Sequence, residues 1–152
     1  MRYCKTIIAV IISFLMSVVA GSCLQELGPD AAPVKAVALC KNIDEKTQEP
    51  RDITNTFSVN DTVYCSLKLI DEAPLTLIKA RWIYVRGEMP DWPETAFGEE
   101  PHFANYLLKY LSFSFRPFHR SDTGKLVHYK GDYIVKIIIA DTTKVSLPFK
   151  VQ

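Results

Sequence analysis

Side chains able to do chemistry are scattered along this chain of 152 residues. The three histidines, His102, His119 and His128, fall in loop and turn segments, and no HxxxH or CxxC spacing gathers metal ligands around them. Segment 86–105 is denser, with Glu88, Asp91, Glu94, Glu99 and Glu100 interleaved with Trp92, Phe97 and Phe103. A carboxylate pair there would suit hydrolysis only if a cleft held the two groups at a defined separation. As a loop on a rigid scaffold, the same segment suits recognition of a protein or a saccharide ring, with Trp92, Phe97 and Phe103 as the contact residues. The competing expectation is that these rings tuck the loop onto the fold while the acids stay solvated. No Ser-His-Asp context, nucleophile elbow or phosphate-cradling glycine loop is present, so neither enzymatic activity nor a metal or cofactor is expected.

Composition sets the scaffold that must carry these residues. Hydrophobic residues make up 48% and charged residues 23%, the usage of one ordinary globular domain. Formal charge is +1, from 18 basic and 17 acidic residues, and becomes −1 if Arg2 and Lys5 leave with a leader. That balance excludes a concentrated basic footprint, and with it a nucleic-acid partner. Nine prolines and 11% aromatics, with many Val, Ile, Thr and Tyr, favour short strands and turns.

Residues 1–22 have the layout of a secretory signal: Arg2 and Lys5, an uncharged and mostly apolar run over 6–20, then small residues. A spanning helix needs about 20 apolar residues, and Gly21, Ser22, Gln25 and Glu26 cut the run short of that. The four residues Ala20-Gly21-Ser22-Cys23 resemble the lipobox of bacterial lipoproteins, with Ala20 where that motif prefers Leu. The resemblance implies that Cys23 is acylated and becomes the N-terminus, anchoring an exported protein of the cell envelope to a membrane. Cleavage by an ordinary signal peptidase, leaving Cys23 as a spare thiol, is the alternative. Residues 23–33, with Gly28, Pro29 and Pro33, read as a short tether. Cys4 leaves with the leader, and an acylated Cys23 leaves an even pair, Cys40 and Cys65. Outside the cytosol that pair is expected to form a disulfide, two buried thiols being the alternative.

Residues 34–152 alternate apolar and polar positions between turn signals, the period of half-buried strands. VKAVALC places Val34, Ala36, Ala38 and Cys40 on one face. TVYCSLKLI places Val63, Cys65, Leu67 and Leu69 together, and a one-residue slip between the two segments would separate the cysteines. Ile78, Ala80, Trp82 and Tyr84 share a face, as do Leu111, Phe113 and Phe115. GDYIVKIIIA and KVSLPFKV read as a closing hairpin, with Tyr133, Val135, Ile137 and Ile139 facing Val145, Leu147, Phe149 and Val151. Pro148 places the last strand at a sheet edge, Pro50 argues against a central strand, and 86–105 reads as a long loop. Six or seven strands without crossover helices predict an all-β fold of two packed antiparallel sheets.

Cys65 in one core strand, Trp82 in the next and Gly131-Asp132-Tyr133 before the penultimate strand resemble the landmarks of immunoglobulin-like β-sandwich domains, of the kind found in bacterial surface lipoproteins. The resemblance covers 34–152 and implies a tyrosine corner, in which the Tyr133 hydroxyl bonds to backbone just upstream. Val135 stands where that family has its second cysteine, so the inter-sheet disulfide is absent. The expected protein is a lipid-anchored envelope protein with a non-enzymatic binding module. A secreted, non-lipidated inhibitor or accessory domain docking through 86–105 is the alternative.

Overall fold

The computed structural model describes residues 24–88, 95–120 and 124–152; the leader and Cys23 lie outside the described residues. In chain order these form β1 (Gln25–Glu26), a 3-10 turn (Pro29–Ala31), β2 (Val34–Ile43), β3 (Pro50–Ile53), β4 (Thr56–Phe57), β5 (Val63–Leu69), β6 (Thr76–Gly87) and β7 (Thr95–Ala104). Then follow β8 (Tyr110–Phe115), β9 (Phe118–Arg120), β10 (Leu126–His128), β11 (Gly131–Ile139) and β12 (Thr142–Val151). One sheet has the order β1-β2-β5-β8, with β3 also on β2; the other has the order β4-β12-β11-β6-β7, and β9 and β10 form a separate ribbon. Every pairing is antiparallel except the two-residue contact of β4 with β12. The predicted all-β sandwich is therefore present, carried by seven strands of six residues or more.

Alternation decides which faces meet. Val63, Cys65, Leu67 and Leu69 of β5 and Leu111, Phe113 and Phe115 of β8 pack against Ile78, Ala80, Trp82 and Tyr84 of β6 and the inward residues of β11 and β12. The closing hairpin has the expected partners, Tyr133 with Phe149, Val135 with Leu147 and Ile137 with Val145. Each large side chain fully buried there stabilises the fold by about 1.5–3 kcal/mol relative to exposure. Pro148 sits on β12, a strand whose outer side is covered only at Lys150 and Val151 by β4, so the missing N–H leaves no ladder bond unmade in the middle of a sheet.

The corner is present as well. The Tyr133 hydroxyl donates to the Tyr129 carbonyl at 2.8 Å, and burial pushes its ionisation above the ordinary range. Gly131 pairs with Gly87 across β11 and β6. A Cβ on either would run into the carbonyl of the facing strand, Arg86 for Gly131 and Lys130 for Gly87. Glycine is required here by the close approach of two backbones.

Three expectations are corrected. First, the register between β2 and β5 shifts between Val34 and Ala36, a bulge that reverses the parity of the rest of the strand. Val34, Val37 and Leu39 join the core between the sheets, while Ala36, Ala38 and Cys40 turn to the other face. That face is also buried, because the β2–β3 connection folds back over it. The Ser66 hydroxyl donates to the Gln48 carbonyl at 2.8 Å, the Ser112 hydroxyl to the Gln48 side chain, and the Tyr110 hydroxyl to Glu49 at 3.2 Å.

Second, Cys40 and Cys65 are free thiols and not a disulfide. Leu39 is opposite Cys65 and Cys40 is opposite Tyr64, so the two sulfurs lie on opposite faces of the sheet. Burial pushes the Cys40 thiol up to about 11 and raises that of Cys65 further. Third, residues 24–33 are not a free tether. Gln25 and Glu26 pair with Val37 and Ala36, Leu27 N–H donates to the Lys35 carbonyl at 2.9 Å, and Ala31 is buried.

Two measurements check these points. Tyr133→Phe removes the corner hydroxyl and strands a carbonyl, and is expected to lower the urea unfolding free energy by about 1–2 kcal/mol with unchanged m-value. Cys40 and Cys65 are expected to resist alkylation in the native protein and to react fully in denaturant without reductant. Labelling that requires reductant would contradict the free-thiol arrangement.

Candidate functional site

Segment 86–105 is largely a strand, which corrects its reading as a loop. β6 continues to Gly87 and β7 begins at Thr95, pairing along β6 as the outer strand of its sheet. Trp92 lies outside the described residues, together with Asp91 and Glu94. The register shifts between Trp82 and Ile83, which face Gly98 and Ala96 and leave Phe97 as the extra residue of a bulge. The bulge turns Phe97 inward, its ring 5.7 Å from Phe115 and 6.1 Å from Tyr133. Phe103 lies on the outer face of the strand and is 58% exposed. The sequence placed the two phenylalanines together; the bulge separates core packing from surface exposure.

The acids divide in the same way. On the outer face Glu99 accepts from Arg81 Nε at 3.0 Å and Nη2 at 2.7 Å, and Lys79 Nζ lies 3.5 Å from Glu99 and 3.2 Å from Asp141. The hydrogen bonds from Arg81 hold the Glu99 carboxyl below its ordinary range. On the inner side Glu100 meets His102 Nε2 at 2.8 Å and accepts from the Ser114 backbone N–H at 3.3 Å, tying β7 to β8 across the open side of the sandwich. The His102 ring rests 5.0 Å from Phe113. Glu88, beyond the other end of the strand, accepts from the Lys130 N–H at 3.3 Å. Glu99 and Glu100 thus face opposite sides of one strand and do not form a pair across a cleft. His128 meets the Val59 carbonyl at 3.0 Å through Nδ1, and the His119 side chain lies outside the described residues.

A different surface emerges at the end of the sandwich where the chain turns into β2. The connections 70–75 and 105–109 and the turn at Ala140 and Asp141 meet at this near end. Ile70 N–H donates to the Pro33 carbonyl and Leu69 N–H to the Lys109 carbonyl, both at 2.9 Å. Leu77 and Phe103 are direct cross-strand partners, and Leu75 and Leu77 line a groove of about 320 Å³ with Ile138, Lys79 and Asp141. In the 105–109 connection the Asn105 side chain accepts from Leu107 N–H at 2.9 Å and its carbonyl accepts from Leu108 N–H at 3.1 Å. This turn seats Leu108 against the core and presents Tyr106 and Leu107 to solvent, 72% and 77% exposed. Leu75 is 74% exposed.

Beside these residues lies a recess of about 470 Å³ lined by Lys35, Lys68, Lys109, Leu69, Ile70 and Asp71. Lys35 is the exposed residue at the β2 bulge. Several large apolar side chains left in water at one end of a small domain mark a contact surface. Sequence reasoning missed them because Leu75, Leu77 and Leu107 stand next to apolar runs that do enter the core. The departure of Tyr106-Leu107-Leu108 from strict alternation was the available signal.

The contrast between the two phenylalanines is measurable. Phe97→Ala is expected to cost about 2 kcal/mol or more in thermal or urea unfolding, since it empties a place among core rings. Phe103→Ala and Leu107→Ser are expected to stay within about 0.5 kcal/mol of the parent, as surface changes do.

No protein-family profile matches the chain, and no curated protein matches it in sequence. Solved structures similar to parts of it include a β-glucosidase from Listeria innocua in complex with glucose, at 10% identity and TM-score 0.41, which covers 64% of this chain. The β-glucosidase EmGH1 from Erythrobacter marinus matches 64% of the chain at 11% identity and TM-score 0.44. An alkylpurine DNA glycosylase from Pseudomonas fluorescens, bound to DNA containing an abasic site analog, matches 76% at 14% identity and TM-score 0.42. The chain spans 14% of the length of each glucosidase and 30% of the glycosylase, and likenesses this partial carry no argument about its activity.

Proposed function

We propose that this chain is an exported protein of the bacterial cell envelope, held at a membrane by acyl chains on Cys23, whose β-sandwich acts as a non-enzymatic binding module. The leader 1–22 and the small residues before Cys23 support export and lipidation. Several acyl chains at one site anchor firmly, because each buried methylene contributes about 0.8 kcal/mol and a single chain is marginal.

The observation that carries the binding role is the apolar near end. Ile70, Leu75, Leu77, Phe103, Tyr106 and Leu107 stay exposed at one end of a scaffold whose sheets bury a continuous apolar core. A rigid two-sheet body holding such side chains at fixed positions suits recognition, because little conformational freedom remains to be lost on contact. The second reading is a secreted, non-lipidated accessory or inhibitor domain docking through 86–105, and the exposure of Phe103 supports it.

Intact-mass analysis of the mature protein separates the two. The anchored reading expects an N-terminus at Cys23 carrying the added mass of acyl chains, with the protein in the detergent phase on phase separation. An unmodified, water-soluble product would favour the secreted reading.

A further inference from the structure

We propose that the near end of the sandwich pairs with the same end of a second copy of this chain. Tyr106 and Leu107 of each copy enter the groove of Leu75, Leu77 and Ile138 on the other, and lysines of one face acids of its partner. The inference rests on the near end being the binding surface and names what it binds.

Size is the first argument. Ile70, Leu75, Leu77, Phe103, Tyr106 and Leu107 are between 37% and 77% exposed. They leave about 700 Å² of largely apolar surface in water at one end, where the largest patch on a monomer is usually about 300–600 Å². Each partner in a standard interface contributes about 800 Å², so these six with the charges around them make up one side of a stable contact. Leu77 and Phe103 are cross-strand partners, and Tyr106 and Leu107 follow Phe103 through the turn that Asn105 holds, which makes the surface continuous.

Shape is the second. The Asn105 turn makes a projection, with Tyr106 72% and Leu107 77% exposed, and the groove of about 320 Å³ at the same end is lined by Leu75, Leu77 and Ile138. A projection and a hollow on one end of a molecule fit reciprocally about a two-fold axis, residue i meeting j as j meets i, and the contact closes as a dimer.

Charge selects the partner. Lys35, Lys68 and Lys109 stand at this end with Asp30, Asp71 and Glu72, and no ion pair among the described residues engages any of the six. A partner of a single sign would be repelled by three of them. A surface carrying both signs suits a copy of itself, since opposite charges facing across an interface fix its register and suppress wrong partners. Because β1 runs antiparallel to β2, and β2 begins at the near end, the chain before Gln25 heads away from this surface and does not emerge through it.

The test places the photoreactive residue benzoylphenylalanine at position 107 of the mature protein, coexpressed with two different tags. Irradiation is carried out in the membranes of the producing bacterium, or in buffer when mass analysis finds no acyl chains. A species of doubled mass carrying both tags, its cross-link mapped to 75–77 or to Ile138, is expected. Absence of that species, a cross-link mapped elsewhere on the chain, or a cross-link to a different protein overturns the proposal. Leu75→Asp, at an exposed position outside the core, is expected to lower the yield about tenfold or more with unchanged thermal unfolding; an undiminished yield overturns the reciprocal fit. A copy with Lys35→Glu and Lys109→Glu is expected to pair well with a copy carrying Asp71→Lys and Glu72→Lys, and each poorly with itself. Equal yields in every combination overturn the charge pairing. Absence of acyl chains counts against anchoring alone, because the pairing is read in either medium, and a cross-link to a different protein rejects the second copy while keeping the near end as a binding surface.

Discussion

The stacking of Phe115 on Trp82, at 5.1 Å between ring centroids and 16° between planes, is the contact on which the rest of the sandwich depends. Phe115 comes from one sheet and Trp82 from the other, so this face-to-face pair joins the two layers directly. Phe149 meets Trp82 edge-on at 6.0 Å and stacks on Tyr133 at 5.2 Å, extending the same cluster to the corner. The arrangement has a cost, because Trp82 Nε1 is buried without a hydrogen-bond partner among the described residues. A stranded donor costs about 1–3 kcal/mol. Burying 150–250 Å² of aromatic surface contributes about 4–6 kcal/mol at 25 cal/mol per Å², and each ring pair adds about 0.5–1.5 kcal/mol. Packing outweighs the unmet hydrogen bond, which is why an indole can occupy the middle of the core.

The strands legible in the sequence are those with one face buried. β5, β6, β8, β11 and β12 alternate because one side meets the other sheet and the other meets water or polar groups, and their core residues follow from the period alone. β2 departs from that condition. Both its faces are buried, so VKAVALC is apolar at nearly every position, and the bulge near Lys35 reverses parity without any change in composition. A one-residue irregularity of this kind is what separates a bonded cysteine pair from two thiols on opposite faces. The tether was hidden for a related reason. Gly28, Pro29 and Pro33 are loop-forming residues, and here they shape a tight return that lets β1 pair beside β2, an outcome set by tertiary contact and not by local preference.

Segment 86–105 was illegible because its strand is an outer one. Pro101 and Gly98 weaken a central strand, but β7 pairs on one side only, where a missing N–H or side chain is tolerated. The candidate site was less legible still. Periodicity marks residues that should be buried, and it is silent about apolar residues that sit at strand ends and stay exposed. Tyr106 and Leu107 are surface residues because Asn105 caps the turn that carries them, a consequence of three consecutive positions and not of any repeating pattern.

The outer strands also bear on where contact with other molecules takes place. β7 and β8 each leave a row of backbone groups without a neighbouring strand, and an open edge of that kind invites pairing with another chain. Here the edges are blunted by the features that obscured them in the sequence. Pro101 removes a donor, Glu99 and its Arg81 partner place charges along the outer face, and Glu100 draws the Ser114 N–H into a bond between the two edges. Strand addition is hindered along β7 and β8 in this way, while the exposed apolar side chains gather where the connections leave the sheets. Of the two ends, the near one carries the exposed large apolar side chains among the described residues, Leu75, Leu77, Phe103, Tyr106 and Leu107, with Ile70 beside them.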